Sequence, residues 1–212
     1  MGLFKKRKKA PDMLLSDKDL NTFEKMVSER IGNYDQVIHE IVSPDLHIDV
    51  IPVPPSENRD YYTLITMGMG GYRMPVPSNY GKINRAEVAV RLPKDWNIHS
   101  NEEKYYWPIR MLKILARMPY QENSWLGLYH DIDFGDPFSE ETELCGVMLD
   151  LFDEDIEPLT LENGDNLIVY NVIPIYRSEM EYKLAEDGEA LVAKMSDGIL
   201  HGPVDIHRAC VV

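Results

Sequence analysis

The chain has 212 residues, of which 44% are hydrophobic and 27% charged, proportions that exclude a disordered polymer, a collagen-like repeat or a disulfide-built miniprotein and allow a sizeable core. Its formal charge is −14, yet Lys5, Lys6, Arg7, Lys8 and Lys9 stand among the first ten residues without an acid, so 17 basic against 36 acidic residues leave the remainder at −19. Phosphate backbones are bound by clustered Lys and Arg, so a body this acidic argues against nucleic acid and for a basic protein partner.

Residues 1–12 read as a basic, flexible arm and residues 13–212 as one folded unit. No apolar run approaches the roughly 20 residues of a membrane-spanning helix, and Lys5 interrupts the start before a signal sequence can form, so a cytoplasmic protein is expected. A helix begins at Ser16, which can cap it; Leu20, Phe23, Met26, Val27 and Ile31 then recur at helical spacing until Gly32. Strands follow at 46–53 and 61–67, the second ending in the tight turn Gly68-Met69-Gly70-Gly71. After a loop over 72–84, residues 86–92 alternate Ala86, Val88, Val90 and Leu92 with Glu87, Ala89 and Arg91, the pattern of a strand with one wet face. A helix over 105–118 carries Met111, Leu112, Leu115 and Met118 on one side and Arg110, Lys113 and Arg117 as an exposed basic stripe. Pro108 falls in its first turn, where a missing N–H costs little, and Trp107 is expected in the core. Strands at 125–130, 144–149 and 167–175, a turn at 131–136, and helices over 177–184 and 188–195 complete the order. Without strict strand–helix alternation, that order predicts an α+β fold whose mixed or antiparallel sheet packs with helices.

Motifs for chemistry are sparse. The turn at Gly68–Gly71 meets neither a dinucleotide nor a P-loop spacing, and 131–136 misses the calcium-loop register. Cys145 and Cys210 form no Cys-x-x-Cys pair, and the six histidines include no His-x-x-x-His pair, so no metal and no cofactor are expected. The histidines of the His47–Asp49 and His130–Asp131 pairs read as structural, hydrogen-bonded groups. The acids at 153–155, 157, 162 and 165 could form a docking surface for a cationic partner.

The runs Tyr61–Met69, Asn84–Pro93 and Trp107–Arg117, then Glu122-Asn123-Ser124-Trp125-Leu126-Gly127, His130 and Leu144–Leu149, resemble the suppressor of fused domain in its bacterial form. The similarity spans about 47–194. It implies a non-enzymatic, protein-binding α+β domain; animal members hold an extended peptide as an added β-strand in a cleft. The positions matching their peptide-holding aromatic and acid are Met118 and Tyr129, next to His130. Bacterial relatives resemble immunity or antitoxin proteins, so the expected partner is a basic toxin domain or an extended peptide. Expected contacts are Met118, Tyr129 and His130, with Asp131, Asp133, Glu140, Glu141, Asp153, Glu154 and Asp155 supplying negative field. A peptide-binding scaffold is the second reading. A hydrolase using His47, Asp49, Glu87 and His130 is the third, and it requires those four side chains to share a pocket.

Overall fold

A computed structural model describes residues 15–43, 45–80 and 83–212; the basic arm expected over 1–12 lies outside them. The first helix, α1 (Asp17–Met26), starts where Ser16 accepts a hydrogen bond from the Asp19 N–H, with Asp17 and Asp19 in the first turn to complement its positive end. It does not run on to Gly32 as one regular helix: residues Val27–Ile31 widen into a π-helical turn. Phe23, Val27 and Ile31 are buried, so the apolar stripe continues through the change of pitch.

Among the described residues seven strands form one mixed sheet: β1 (Asp49–Val53), β2 (Tyr61–Met67), β3 (Ile83–Pro93), β4 (Asp131–Asp133), β5 (Gly146–Leu151), β6 (Leu159–Thr160) and β7 (Asn166–Ile175). The order across it is β1-β2-β3-β7-β5-β4, with β6 beside β7. Only the β3–β7 pair is parallel; the other pairings, including β1–β2, β5–β7 and β4–β5, are antiparallel. The remaining helices are α2 (Glu103–Gln121), α3 (Arg177–Ala185), α4 (Gly188–Val192) and α5 (Asp197–Leu200). This is the expected α+β architecture.

Both faces of the sheet are covered. On one, Trp107, Leu112 and Leu115 of α2 pack on Val50, Leu64, Val88, Val90, Leu92, Val147 and Leu149. On the other, Phe23 and the π-turn's Val27 pack on Ile51, Ile65, Ala89, Leu167 and Val169. The wet face expected for β3 is therefore absent: Glu87 and Arg91, which alternate with the apolar residues, are buried beneath the second layer. Polarity alternates along this strand because it is internally bonded, not because one side meets water.

Four other expectations change. Residues 125–130 are loop, not strand, and Tyr129 takes φ +60°, a left-handed conformation that a strand cannot contain. The strand of this region is Asp131–Asp133, where a turn was expected. Helix α2 begins at Glu103, which places Pro108 in its second turn. Finally, the basic stripe on α2 is exposed only at Arg110, whose side chain pairs with Glu103 at the surface: Arg117 is buried against Glu40 and Asp45, and Lys113 faces Glu40.

Gly68 ends β2 with φ +130° and a backbone so close to β1 that a Cβ there would lie 2.1 Å from the His47 carbonyl oxygen. The turn it opens is held from below by Glu87, whose Oε1 accepts the N–H groups of Gly68 and Gly70, each at 2.9 Å.

Candidate functional site: an acidic groove beside the β4 edge

Six of the expected contact residues lie on one continuous stretch, the β4 edge and its connection to β5. Tyr129 donates its N–H to the Leu149 carbonyl at 2.7 Å, and Leu149 donates to the His130 carbonyl at 2.9 Å, so the chain is already paired with β5 before β4 begins. The His130 ring packs 4.3 Å, centroid to centroid, from Trp125. Its burial, with Lys183 nearby, lowers its pKa against the opposing effects of a Trp125 backbone hydrogen bond and Asp131. Burial raises the Tyr129 phenol, and Asp150, Glu189 and Glu154 add to the rise.

Two of the acids in this stretch are committed internally. Asp131 pairs with Lys183 of α3. Asp133 receives both guanidinium nitrogens of Arg177, at 2.8 and 3.1 Å, and those bonds hold its carboxyl below the usual range. Together they fasten α3 along the outer flank of β4, which leaves them little charge to offer a partner.

Beyond β4 the chain turns at Gly135 and returns to β5 through residues 137–143. This connection and the start of α2 enclose an open groove of about 1090 Å³, closed at one side by Tyr176, Ile206 and His207. Phe138 gives it an apolar wall, stacked 4.7 Å from Trp107 with the rings 10° apart, and Trp107 itself is fully buried as expected. Thr142 donates to the Ile206 carbonyl at 2.8 Å and so ties the connection to the C-terminal segment. Five glutamates line the space: Glu102, Glu103, Glu140, Glu141 and Glu143. Arg110 binds Glu103, and Lys104 lies 3.6 Å from Glu102. Glu140, Glu141 and Glu143 are exposed and, among the described residues, enter no ion pair. The arrangement can attract and seat cationic side chains beside an aromatic wall.

The other expected contacts are elsewhere. Met118 sits on α2, half-buried against the core. Asp153, Glu154 and Asp155 follow the far end of β5, near the π-helical turn, where Arg30 donates to the Asp155 carbonyl at 2.8 Å. Conversely, the sequence reading missed Glu102, Glu103 and Glu143. Their only signal is a pair of acidic doublets separated by a helix and a strand, which the fold closes onto one another.

The four residues of the hydrolase reading do not converge. His47 and Asp49 meet at β1, Glu87 is bonded within the sheet to Thr66 and the Gly68–Gly71 turn, and His130 adjoins β4. Strands β1 and β4 are the opposite edges of the main sheet, separated by five inter-strand spacings or roughly 24 Å. Among the described residues no group of three or more His, Cys, Asp and Glu side chains is arranged to hold a metal ion, and no helix is long and apolar enough to cross a membrane.

The family model for the suppressor of fused protein (SUFU) matches residues 44–209, most of the chain and all of the groove. The chain belongs to the suppressor of fused family. Its fold is that of a SUFU homolog from Neisseria gonorrhoeae FA 1090, with a TM-score of 0.68 at 16% identity over 92% of this chain and 97% of that one. It is likewise similar to a chain in the crystal structure of a Sufu–Fu complex (TM-score 0.65, 14% identity, 91% and 92% covered). Against Drosophila Suppressor of Fused the TM-score is 0.57 at 14% identity, with 78% of this chain aligned to 43% of the longer one. The uncharacterized protein UU111 of Ureaplasma parvum serovar 3 is 22% identical over 178 residues, covering 79% of this chain and 84% of the relative.

Proposed function

We propose that this SUFU-family chain is a protein-binding domain that performs no bond-making chemistry and receives a cationic segment of its partner in the groove between the start of α2 and residues 137–143. The observation that carries this reading is the set Glu140, Glu141 and Glu143: three exposed carboxylates that, among the described residues, have no ion partner, on the lip of a 1090 Å³ groove with an aromatic wall. The neighbouring acids Asp131 and Asp133, by contrast, are neutralised by Lys183 and Arg177. A relative solved as a Sufu–Fu complex supports protein binding as the kind of activity. The net charge of the body supports a basic partner, because opposite fields accelerate encounter and select against acidic competitors.

The finer reading is an immunity or antitoxin protein that covers a basic toxin domain. Its test is affinity capture from the source organism with the wild-type protein and the Glu140→Lys/Glu141→Lys/Glu143→Lys variant side by side. A basic toxin-type protein retained by the wild type and lost from the variant is the expected result. Retention of the same proteins by both would remove the groove from the account, and a retained acidic partner would remove the electrostatic argument.

A further inference from the structure

Away from the groove, the pairing along β7 is interrupted. Strand β5 follows β7 as far as Leu151 opposite Tyr170, the Phe152 N–H reaches the Val169 carbonyl at 3.2 Å, and pairing resumes where β6 sets Leu159 opposite Leu167. Between them Pro158 has no N–H to donate to a ladder, and residues 153–158 leave the sheet. This connection is pinned in place: the Asp155 N–H donates to Asp153 Oδ1 at 2.9 Å, the Ile156 N–H to the Asp153 carbonyl at 3.2 Å, and Arg30 to the Asp155 carbonyl at 2.8 Å. It encloses a cavity of about 210 Å³, floored by Leu167, Ile168 and Val169 and walled by Phe152.

The chemistry of the lining selects its occupant. Among the described residues every lining side chain is apolar except Asp153, Glu154 and Glu157, which are exposed and enter no ion pair. No basic, hydroxyl or amide side chain lines the space, so nothing there favours an anion or a neutral polar group. A buried cation close by, Arg91, donates to the Phe152 carbonyl at 2.7 Å and lies 4.2 Å from the centre of the Phe152 ring, fixing that wall without lining the cavity. We propose that the cavity binds a small organic cation, with an apolar body the size of one six-membered ring on the β7 floor and an ammonium group among the three carboxylates. The volume suits such a molecule, since an apolar cavity of about 150 Å³ already admits benzene and the excess here accommodates a short alkyl arm. Burial of the ring supplies affinity, and the acidic rim supplies the preference for positive charge. A cationic peptide without an apolar anchor gains only the second, which separates this site from the groove.

The experiment is a methyl NMR titration of the whole chain with phenethylamine, phenethyl alcohol and hydrocinnamate at neutral pH and fixed ionic strength. The amine should shift the Leu151, Ile156, Leu159 and Val169 methyl resonances saturably, the alcohol should bind about tenfold more weakly, and the carboxylate should not bind. In the Glu154→Gln/Glu157→Gln variant the amine should lose most of that advantage, to within about threefold of the alcohol, whose own affinity should be unchanged. Ile156→Trp, which fills the space from the connection, should abolish binding of both; if that variant does not fold, the glutamine pair decides the matter. Equal affinities for the three probes, shifts confined to 137–143, or no saturable shift overturns the inference. Overhauser contacts from the Phe4 ring to those methyls before any probe is added overturn it as well, since they assign the cavity to the chain's own N-terminal segment.

Discussion

Glu87 and Glu140 are the same residue type in the same acidic chain, and the fold gives them opposite fates. Glu87, on the central strand β3, is fully buried and accepts Thr66 and two backbone N–H groups. Glu140, on the connection after β4, is exposed beside Glu141 and Glu143 and pairs with no cation among the described residues. The difference teaches that net charge is a poor guide to binding surface until internal pairs are subtracted. Glu40, Asp45, Asp49, Asp131, Asp133, Asp165 and Glu179 are all bound to histidine, lysine or arginine within the chain. Among the described residues, Glu140, Glu141 and Glu143 at the groove are left over, as are Asp153, Glu154 and Asp155 beyond β5, and these supply charge available to a partner.

The hardest test of the internal side is the pair between Arg208 and Glu179, whose side chains are 7% and 0% exposed. Removing Arg208 strands a carboxylate in the core, so Arg208→Ala should cost about 3–5 kcal/mol in denaturant unfolding. A change of a few tenths would mean that Glu179 reaches water, and the contrast between internal and available charge would weaken. Trp107→Ala provides the apolar benchmark. It removes a fully buried ring that also backs the groove's wall, and should likewise cost about 3–5 kcal/mol.

A smaller effect is expected from Glu87, whose carboxyl is pushed up to about 7 by burial, against the hydrogen bonds from Thr66 and the Gly68–Gly70 backbone. The neutral form fits the site, since a Glu87 hydroxyl can donate to Thr66 Oγ1 while Thr66 turns to the Val88 carbonyl at 3.3 Å. The folded state then holds this proton more tightly than the unfolded chain does. Its contribution to stability is full below about 4.5 and is lost as pH rises through about 7. Chemical denaturation across that window should show stability falling with pH, and Glu87→Gln should flatten the slope. A wild-type slope of the opposite sign would contradict the assignment. Smallest of all should be the triple Glu140→Lys/Glu141→Lys/Glu143→Lys exchange, which touches only exposed side chains and should shift stability by about 1 kcal/mol or less. A larger loss of stability would show that these glutamates are structural after all.

Local chemistry made much of the fold legible. Strand β2 spans Tyr61–Met67 because β-branched and aromatic residues end at a glycine turn, and α1 starts at Ser16 because a hydroxyl caps it. What the chain alone could not convey was how elements distant in sequence cover one another. Arg117 looks solvent-facing by helical period and is buried because Glu40, Asp45 and Leu46 lie across it. Residues 125–130 have strand-like composition, but Tyr129 turns left-handed where the chain swings onto β5. The family resemblance brought attention to Tyr129 and His130 and hence to the β4 edge. The groove escaped notice because Glu102 and Glu140 are neighbours only after α2 and β4 have packed.

The central claim is that the groove's surplus carboxylates receive a cationic chain, and one titration addresses it most directly. An arginine-rich peptide added to isotope-labelled protein should shift backbone resonances at 102–110, 137–143 and 206–207, and the shifts should collapse by about 0.5 M salt, where exposed charges are screened. Shifts concentrated at 153–157 instead, or binding there that persists in high salt, would contradict it.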